Sequence, residues 1–329
     1  MAKRVVFAGK QQVALETFTP GAVGPDAVAV EVDYSLISTG TEGIVFNRLF
    51  EPGTHWDAWV KYPFYPGYAA VGRAVEVGPE VDSLAVGDTI ATLSSHASFH
   101  VLPASACHRI PDGVDAKQAT WIALGKVAFM GARAGGFGLG DRILIIGVGP
   151  VGQMTVRWAN AAGAQTIIAV DTVQARLDLA RNGGATHLVA RPVDDCREEV
   201  KSACGGELPP VVVDTTGNAA VFSAALGLAR HRGRVVVLGD TGAPSQQHLT
   251  SDVITRGLTV IGAHGTHEDA EWTAHRIYGL FFELVRSGRF DLNGLITHES
   301  APEDCAKAYE MINTRRHETM GILFDWTRA

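Results

Sequence analysis

Asp141-Arg142-Ile143-Leu144-Ile145-Ile146-Gly147-Val148-Gly149-Pro150-Val151-Gly152 sets an apolar run against a Gly-x-Gly-x-x-Gly turn, and from Gln153 to Ala162 the pattern turns helical. Gln165 to Asp171 follows as a second β-branched run and Val173 to Asn182 as a second helical pattern. One complete βαβ unit with a further helix is therefore expected. The glycines have separate duties. Gly147 permits the tight turn, Gly149 leaves bare main chain for a pyrophosphate, and Gly152 lets the helix pack close to the strand. The helix start, with Pro150 and Val151, offers free N–H groups and a partial positive charge to phosphates. Asp171 stands 19 residues beyond Gly152 at the end of the next strand, placed to accept hydrogen bonds from ribose hydroxyls. Its charge repels a 2′-phosphate, so NAD is expected as cofactor rather than NADP. The competing reading is a glycine-rich turn without a ligand; the ordered series of strand, turn, helix, strand and acid weighs against it.

Further strands are expected at Pro210–Asp214, Arg234–Leu238 and Leu258–Gly262, with helices between the earlier ones. Such alternation implies a parallel sheet covered on both faces, a doubly wound α/β domain. Upstream the texture differs. Ala27–Val32, Gly72–Gly78 and Asp88–Leu93 are short β-branched runs broken by Gly, Pro and Asp, and they read as a β-rich, barrel-like domain. The change comes near Lys117, where Gln118 to Arg133 fits one Ala-rich helix closed by Ala134-Gly135-Gly136. From about Phe290 the texture is mixed again, so the nucleotide domain is expected as an insertion: 121–287 inside a catalytic domain made of 1–120 and 288–329.

With 329 residues, 46% hydrophobic and 19% charged, the chain is an ordinary globular one with room for two cores. A net charge of -7 without a dense Lys/Arg cluster gives nothing to hold a nucleic-acid backbone. The apolar runs are far shorter than the roughly 20 residues of a membrane span. A small-molecule partner, and neither nucleic acid nor membrane, is expected. Met1-Ala2-Lys3-Arg4 leads into a strand-like run rather than an export signal, and Cys107, Cys196, Cys204 and Cys305 form no C-x-x-C pair. Reduced thiols in a cytoplasmic protein are expected.

Pro66-Gly67-Tyr68-Ala69-Ala70-Val71-Gly72, Val86-Gly87-Asp88, the nucleotide turn, Asp171 and Leu295-Ile296-Thr297-His298 with Ala308-Tyr309 together resemble the medium-chain dehydrogenase/reductase superfamily of zinc alcohol and polyol dehydrogenases. The resemblance spans nearly the whole chain. It implies a Rossmann sheet inserted in a GroES-like β-rich domain, NAD(H) as cofactor and a homodimer or homotetramer. It also implies cofactor contacts at Arg176, Thr215, Leu238, Gly239, Ala263 and His264, with backbone contacts foremost in the Gly262–His267 turn. Leu36-Ile37-Ser38-Thr39-Gly40-Thr41-Glu42 and Ile322-Leu323-Phe324-Asp325-Trp326 are similar to a subgroup of bacteriochlorophyllide hydroxyethyl dehydrogenases.

Zinc is where the chain departs from that pattern. The family's ligand positions fall on Thr39, the pair Tyr68-Ala69 and about Ala123, none a good zinc ligand, and the structural zinc lobe retains only Cys107. No metal is expected. Without a Lewis acid, alkoxide stabilisation passes to hydrogen-bond donors and a general acid/base. The resemblance points to Thr41, which matches a proton-relaying hydroxyl, to Tyr68 in the place of a zinc-binding His, and to Glu42 as the residue that orients a donor. Lys126, isolated in an apolar helix, is a fourth catalytic candidate, with desolvation expected to lower its pKa. His55, Trp56 and His96 fall in segments that border the substrate cleft in the family. Each candidate has a plainer reading as turn residue, packing aromatic, solvated charge or satisfied histidine. The expected activity is zinc-independent interconversion of a secondary alcohol, of polyol, cyclitol or sugar type, and its ketone. A tetrapyrrole hydroxyethyl dehydrogenase and a non-catalytic NAD(H)-binding protein stand as alternatives.

Overall fold

A computed structural model of the chain describes residues 1–328. In chain order the elements are β1 (Ala2–Gly9), β2 (Gln12–Phe18), β3 (Ala27–Ile37), α1 (Thr39–Asn47), α2 (His55–Trp59), β4 (Ala70–Val77), β5 (Thr89–Thr92), β6 (Phe99–Pro103), β7 (Cys107–Arg109) and α3 (Ala116–Ala119). There follow α4 (Ile122–Gly135), β8 (Arg142–Ile146), α5 (Pro150–Ala161), β9 (Thr166–Asp171), α6 (Gln174–Asn182), β10 (His187–Ala190), α7 (Arg197–Ala203), β11 (Val211–Asp214), α8 (Ala219–Leu228), β12 (Arg234–Val237), α9 (Asp252–Thr255) and β13 (Thr259–Gly262). The chain finishes with α10 (Ala274–Arg286), β14 (Ile296–Ser300), α11 (Cys305–Thr314) and β15 (Gly321–Asp325). Two compact units result: Met1–Ala123 with Tyr278–Arg286 and the stretch from Gly294 onward, and Leu124–Ile277 with Ser287–Asn293.

The second unit is a six-stranded parallel sheet in the order β10-β9-β8-β11-β12-β13. Ile143 and Ile145 point into one apolar layer with Val156, Ala159 and Leu177, while Leu144 and Ile146 point into the other with Phe222, Ala225 and Leu226. Burial on both faces is why β8 is apolar without alternation. Ile146 pairs with Val170 on one side and with Asp214 on the other, and Asp214 pairs with Val237. The carboxyl ends of these strands therefore finish level, and the chain reverses direction across the sheet at β8, the usual place for a ligand on such a sheet.

The first unit joins the β1–β2 hairpin to a seven-stranded sheet, in which β3 is flanked by β15 and β4 and also receives β6. Its core is aromatic: Phe7, Phe46, Trp56, Tyr309 and Phe324 pack with Val5, Val32 and Ile37. Phe7 meets Tyr309 edge-on, with ring centroids 4.8 Å apart.

The expected helix 118–133 is two helices, α3 and α4. Asp115 caps α3 by accepting from the Gln118 N–H at 2.9 Å, and the Thr120 hydroxyl turns back to the Lys117 carbonyl at 2.6 Å. α1 is a helix that the sequence did not announce. It carries two glycines and ends at Arg48 in a left-handed conformation (φ 50°), so tertiary support rather than propensity holds it. Among the described residues no helix is long and apolar enough to cross a membrane.

Candidate functional site

In the second unit the glycine turn is built from main chain. Gly147 has φ +80°, and a side chain there would meet Thr216 Cγ2 at 2.6 Å. A Cβ on Gly152 would sit 2.1 Å from the Gly147 carbonyl oxygen, so no other residue fits. Around Gly149 nothing lies within 4 Å. The third observation is of a different kind: Gly149 has room for a side chain, so a bare backbone here is not demanded by packing. Pro150 begins α5, where its missing N–H is no loss, and Val151 is half-buried behind it.

Asp171 is fastened into the turn. Its Oδ2 accepts from the Val148 N–H at 2.9 Å and its Oδ1 from the Val173 N–H at 2.9 Å. Arg176 Nη1 lies 3.9 Å from the same carboxylate. The Thr215 hydroxyl donates to the Gly147 carbonyl at 2.6 Å, tying the β11 turn to the β8 turn. The Leu238 and Gly239 N–H groups both donate to the Asp214 carbonyl at 2.9 Å. A Cβ on Gly239 would strike the Gly217 nitrogen at 2.3 Å. The Leu238 side chain is buried against Gly131, so a cofactor contact there would be made by its main chain. Ala263 continues the edge through its N–H to the Val237 carbonyl at 3.0 Å, and His264 is exposed with Nδ1 2.8 Å from Thr266 Oγ1.

Asp214 was not anticipated. It is fully buried, Oδ1 accepts from the Thr216 N–H (2.8 Å) and hydroxyl (2.6 Å), and Oδ2 has no partner among the described residues. Burial pushes its carboxyl above the ordinary range, against the pull of the Thr216 bonds. Lys126, solitary in the sequence, is not solitary in space. The residue is 7% exposed, and its ammonium donates to the Glu268 carboxylate, whose other oxygen accepts from the Ala274 N–H at 2.7 Å.

In the first unit Thr41, Glu42 and Tyr68 come together as the sequence suggested, through partners it did not show. The Tyr68 hydroxyl donates to Ser38 Oγ at 2.5 Å and lies 3.4 Å from Thr41 Oγ1. Glu42 is 1% exposed. Its Oε1 accepts from the Ser38 N–H at 2.7 Å, and its Oε2 accepts from the Tyr309 hydroxyl at 2.5 Å and faces His96 Nε2 at 3.1 Å. On the far side of the imidazole, Nδ1 is 2.8 Å from Ser35 Oγ, which accepts from the Trp326 indole N–H at 2.8 Å. The Glu42 carboxylate can only accept, which places a proton on His96 Nε2; in the neutral imidazole Nδ1 then accepts from the Ser35 hydroxyl. Burial is the leading cause that raises both phenols: Tyr68 is opposed by its hydroxyl partners, and Tyr309 is driven well up with help from the Glu42 charge.

Two expected substrate contacts are corrected here. His96 is fully buried with both ring nitrogens engaged, and Trp56, 3% exposed, belongs to the aromatic core; neither has surface to offer a substrate. Both misplacements follow from burial, which a lone residue type does not reveal. His55 is exposed and stacks obliquely on Trp56. Ser38 and Tyr309 were missed as site residues; Tyr309 had been noticed only as part of a family match.

The residues at the positions that the resemblance assigns to zinc ligands, Thr39, Tyr68, Ala69 and about Ala123, bring no His, Cys or carboxylate donor. Thr39, Ala69 and Ala123 are buried, and only Tyr68 there carries a polar ring. Cys107 is a core thiol on β7, and burial pushes it up to about 11. Among the described residues no three His, Cys, Asp or Glu side chains gather as a metal-holding group.

Residues 150–277 match the family described as zinc-binding dehydrogenase. The chain is 26% identical to an L-threonine 3-dehydrogenase of Anaeromyxobacter sp., over 93% of each chain. It is also 26% identical to sorbitol dehydrogenase of Bacillus subtilis, over 98% of this chain and 96% of that one. An Escherichia coli alcohol dehydrogenase solved with NADH superposes with a TM-score of 0.82 at 19% identity, covering 98% of this chain and 99% of its own. The fold is that of the medium-chain alcohol dehydrogenases. Across its whole length this chain is similar to alcohol- and polyol-type dehydrogenases of that superfamily.

Proposed function

We propose that this medium-chain dehydrogenase homologue is an NAD-linked oxidoreductase that interconverts a secondary alcohol and its ketone without zinc, on a polyol, cyclitol or sugar-like substrate. The observation that carries the reading is the hydroxyl group of Tyr68, held between Ser38 Oγ and Thr41 Oγ1, at the position that the resemblance gives to a zinc ligand. A bound nicotinamide supplies the hydride chemistry. What the chain adds is binding and proton control. The bare Gly149 main chain and the start of α5 receive the diphosphate, and Asp171 takes the ribose hydroxyls once its own N–H partners share it. Tyr68, its phenol raised, stays protonated at neutral pH; when substrate binds, its single O–H turns from Ser38 Oγ to the substrate oxygen, as an oxyanion-hole donor does, and the Ser38 hydroxyl donates to the phenol oxygen in its place. Thr41, one hydrogen-bond step away, is the second hydroxyl available to donate to that oxygen.

The decisive experiment combines calorimetry with NADH and NADPH and a polyol panel with NAD reduction as readout. NADH binding stronger than NADPH binding, turnover of at least one polyol, and a fall of about a hundredfold or more in kcat for Tyr68→Phe are expected, the size found when one transition-state donor is removed. NADH binding without any turnover overturns the enzymatic reading. Stoichiometric zinc by elemental analysis, with activity lost on chelation, overturns zinc independence.

A further inference from the structure

We infer that Tyr309 and His96 are positioning residues for Tyr68, forming with Ser38 and Glu42 a buried brace that holds the oxygen-handling phenol in the absence of a metal. The inference rests on the proposed role of Tyr68 and names what makes that role possible. Two routes lead from the brace to the phenol. The first is polar: the Tyr309 hydroxyl and His96 Nε2 fix one oxygen of Glu42, and the other oxygen fixes the Ser38 N–H. Ser38 Oγ in turn takes the hydrogen bond from Tyr68. The second route is steric. Gly67, the residue before Tyr68, has φ +96°, and the space a Cβ would occupy there is already filled by the His96 ring, 2.8 Å away. The His96 N–H also binds the Pro66 carbonyl at 2.8 Å. The turn that aims Tyr68 is thus clamped from main chain and side chain by one residue.

The brace does not reach the reacting atoms, since Tyr309, His96 and Glu42 are enclosed. Its job is to leave Tyr68 one orientation. A phenol whose acceptor is itself fixed at two removes keeps its rotamer at no cost when substrate arrives, which is what preorganisation requires. Glu42, a carboxylate that can only accept, sets the direction of the series: the Ser38 N–H, the Tyr309 hydroxyl and His96 Nε2 all donate to it.

Hydroxyl deletions that leave the rings in place separate positioning from mere packing. Tyr309→Phe and Ser38→Ala are compared with Tyr68→Phe. The matched control is Tyr62→Phe, whose hydroxyl binds the Val45 carbonyl at 2.7 Å in the same unit but outside the brace. Expected for Tyr309→Phe and Ser38→Ala is a fall of about tenfold in kcat, one transition-state interaction loosened rather than lost, with the KM for NAD unchanged. Tyr62→Phe is expected to lose comparable thermal stability and keep kcat. Ultraviolet titration of the phenols supplies a readout independent of turnover: Glu42→Gln removes a negative charge beside Tyr68 and lowers its titration point, with Tyr68→Phe identifying the band. If Tyr68→Phe abolishes turnover while Tyr309→Phe and Ser38→Ala keep the wild-type kcat, the brace is wrong and the enzymatic reading stands. If Tyr68→Phe itself retains full turnover, the fault lies in the proposed role of Tyr68.

Discussion

The glycine turn of the second unit and the buried brace of the first achieve fixity by opposite means. The turn is made of backbone: its parts lie within a few residues of one another, and its precision comes from having no side chains where chain meets chain. The brace is made of hydrogen bonds between residues 4 to 267 apart in sequence, and its precision comes from partners that converge on one buried carboxylate. One kind of site tolerates no addition, the other no subtraction.

Substitutions that add or remove atoms should therefore break the two regions differently. The largest effect is expected for Glu42→Leu. It strands the Ser38 N–H, the Tyr309 hydroxyl and His96 Nε2 in the core, at a cost of about 3–5 kcal/mol in urea unfolding. Next comes Gly152→Ala, whose added methyl collides with a carbonyl oxygen that cannot withdraw; a loss of about 3 kcal/mol with failure to bind NADH is expected by calorimetry. Gly149→Ala should uncouple what Gly152→Ala joins. With nothing within 4 Å the fold should be unharmed, yet NADH should bind about tenfold more weakly, or about 1.4 kcal/mol, if diphosphate rests on that backbone. Unchanged NADH affinity in that variant would move the diphosphate elsewhere.

The smallest effect sought is a slope against pH. Burial raises the Asp214 carboxyl above its unfolded value of 3.8, so between those two points the native chain holds a proton that the unfolded chain has released. Its contribution is fully present below the unfolded value and lost as pH climbs through the folded one. Stability should decline across that window, and Asp214→Asn should flatten the decline; an identical slope in the variant would assign it to other groups.

The same contrast explains what could be read in advance. Strand, turn, helix and following strand around Gly147 are local, and propensity, periodicity and glycine spacing located them to within a residue or a few. The first-unit helices were not legible, because α1 has poor helical composition and is held by Glu42 reaching back to Ser38. Thr41, Glu42 and Tyr68 were found by their positions in a motif. His96 was found for the wrong reason, since a histidine's chemistry is visible in sequence and its burial is not. Ser38 stands inside the motif of residues 36–42, and nothing in the sequence singles it out from its neighbours.

Sequence alone determined the places where geometry needs a missing side chain: Gly147 and Gly152, spaced around a turn that follows a strand, leave the chain one way to turn. Only the tertiary structure decided which polar side chains face one another. A hydrogen bond such as that from Tyr309 to Glu42, across 267 residues, follows from how β3, α11 and β15 pack, and in a dry interior that packing makes each partner indispensable to the other.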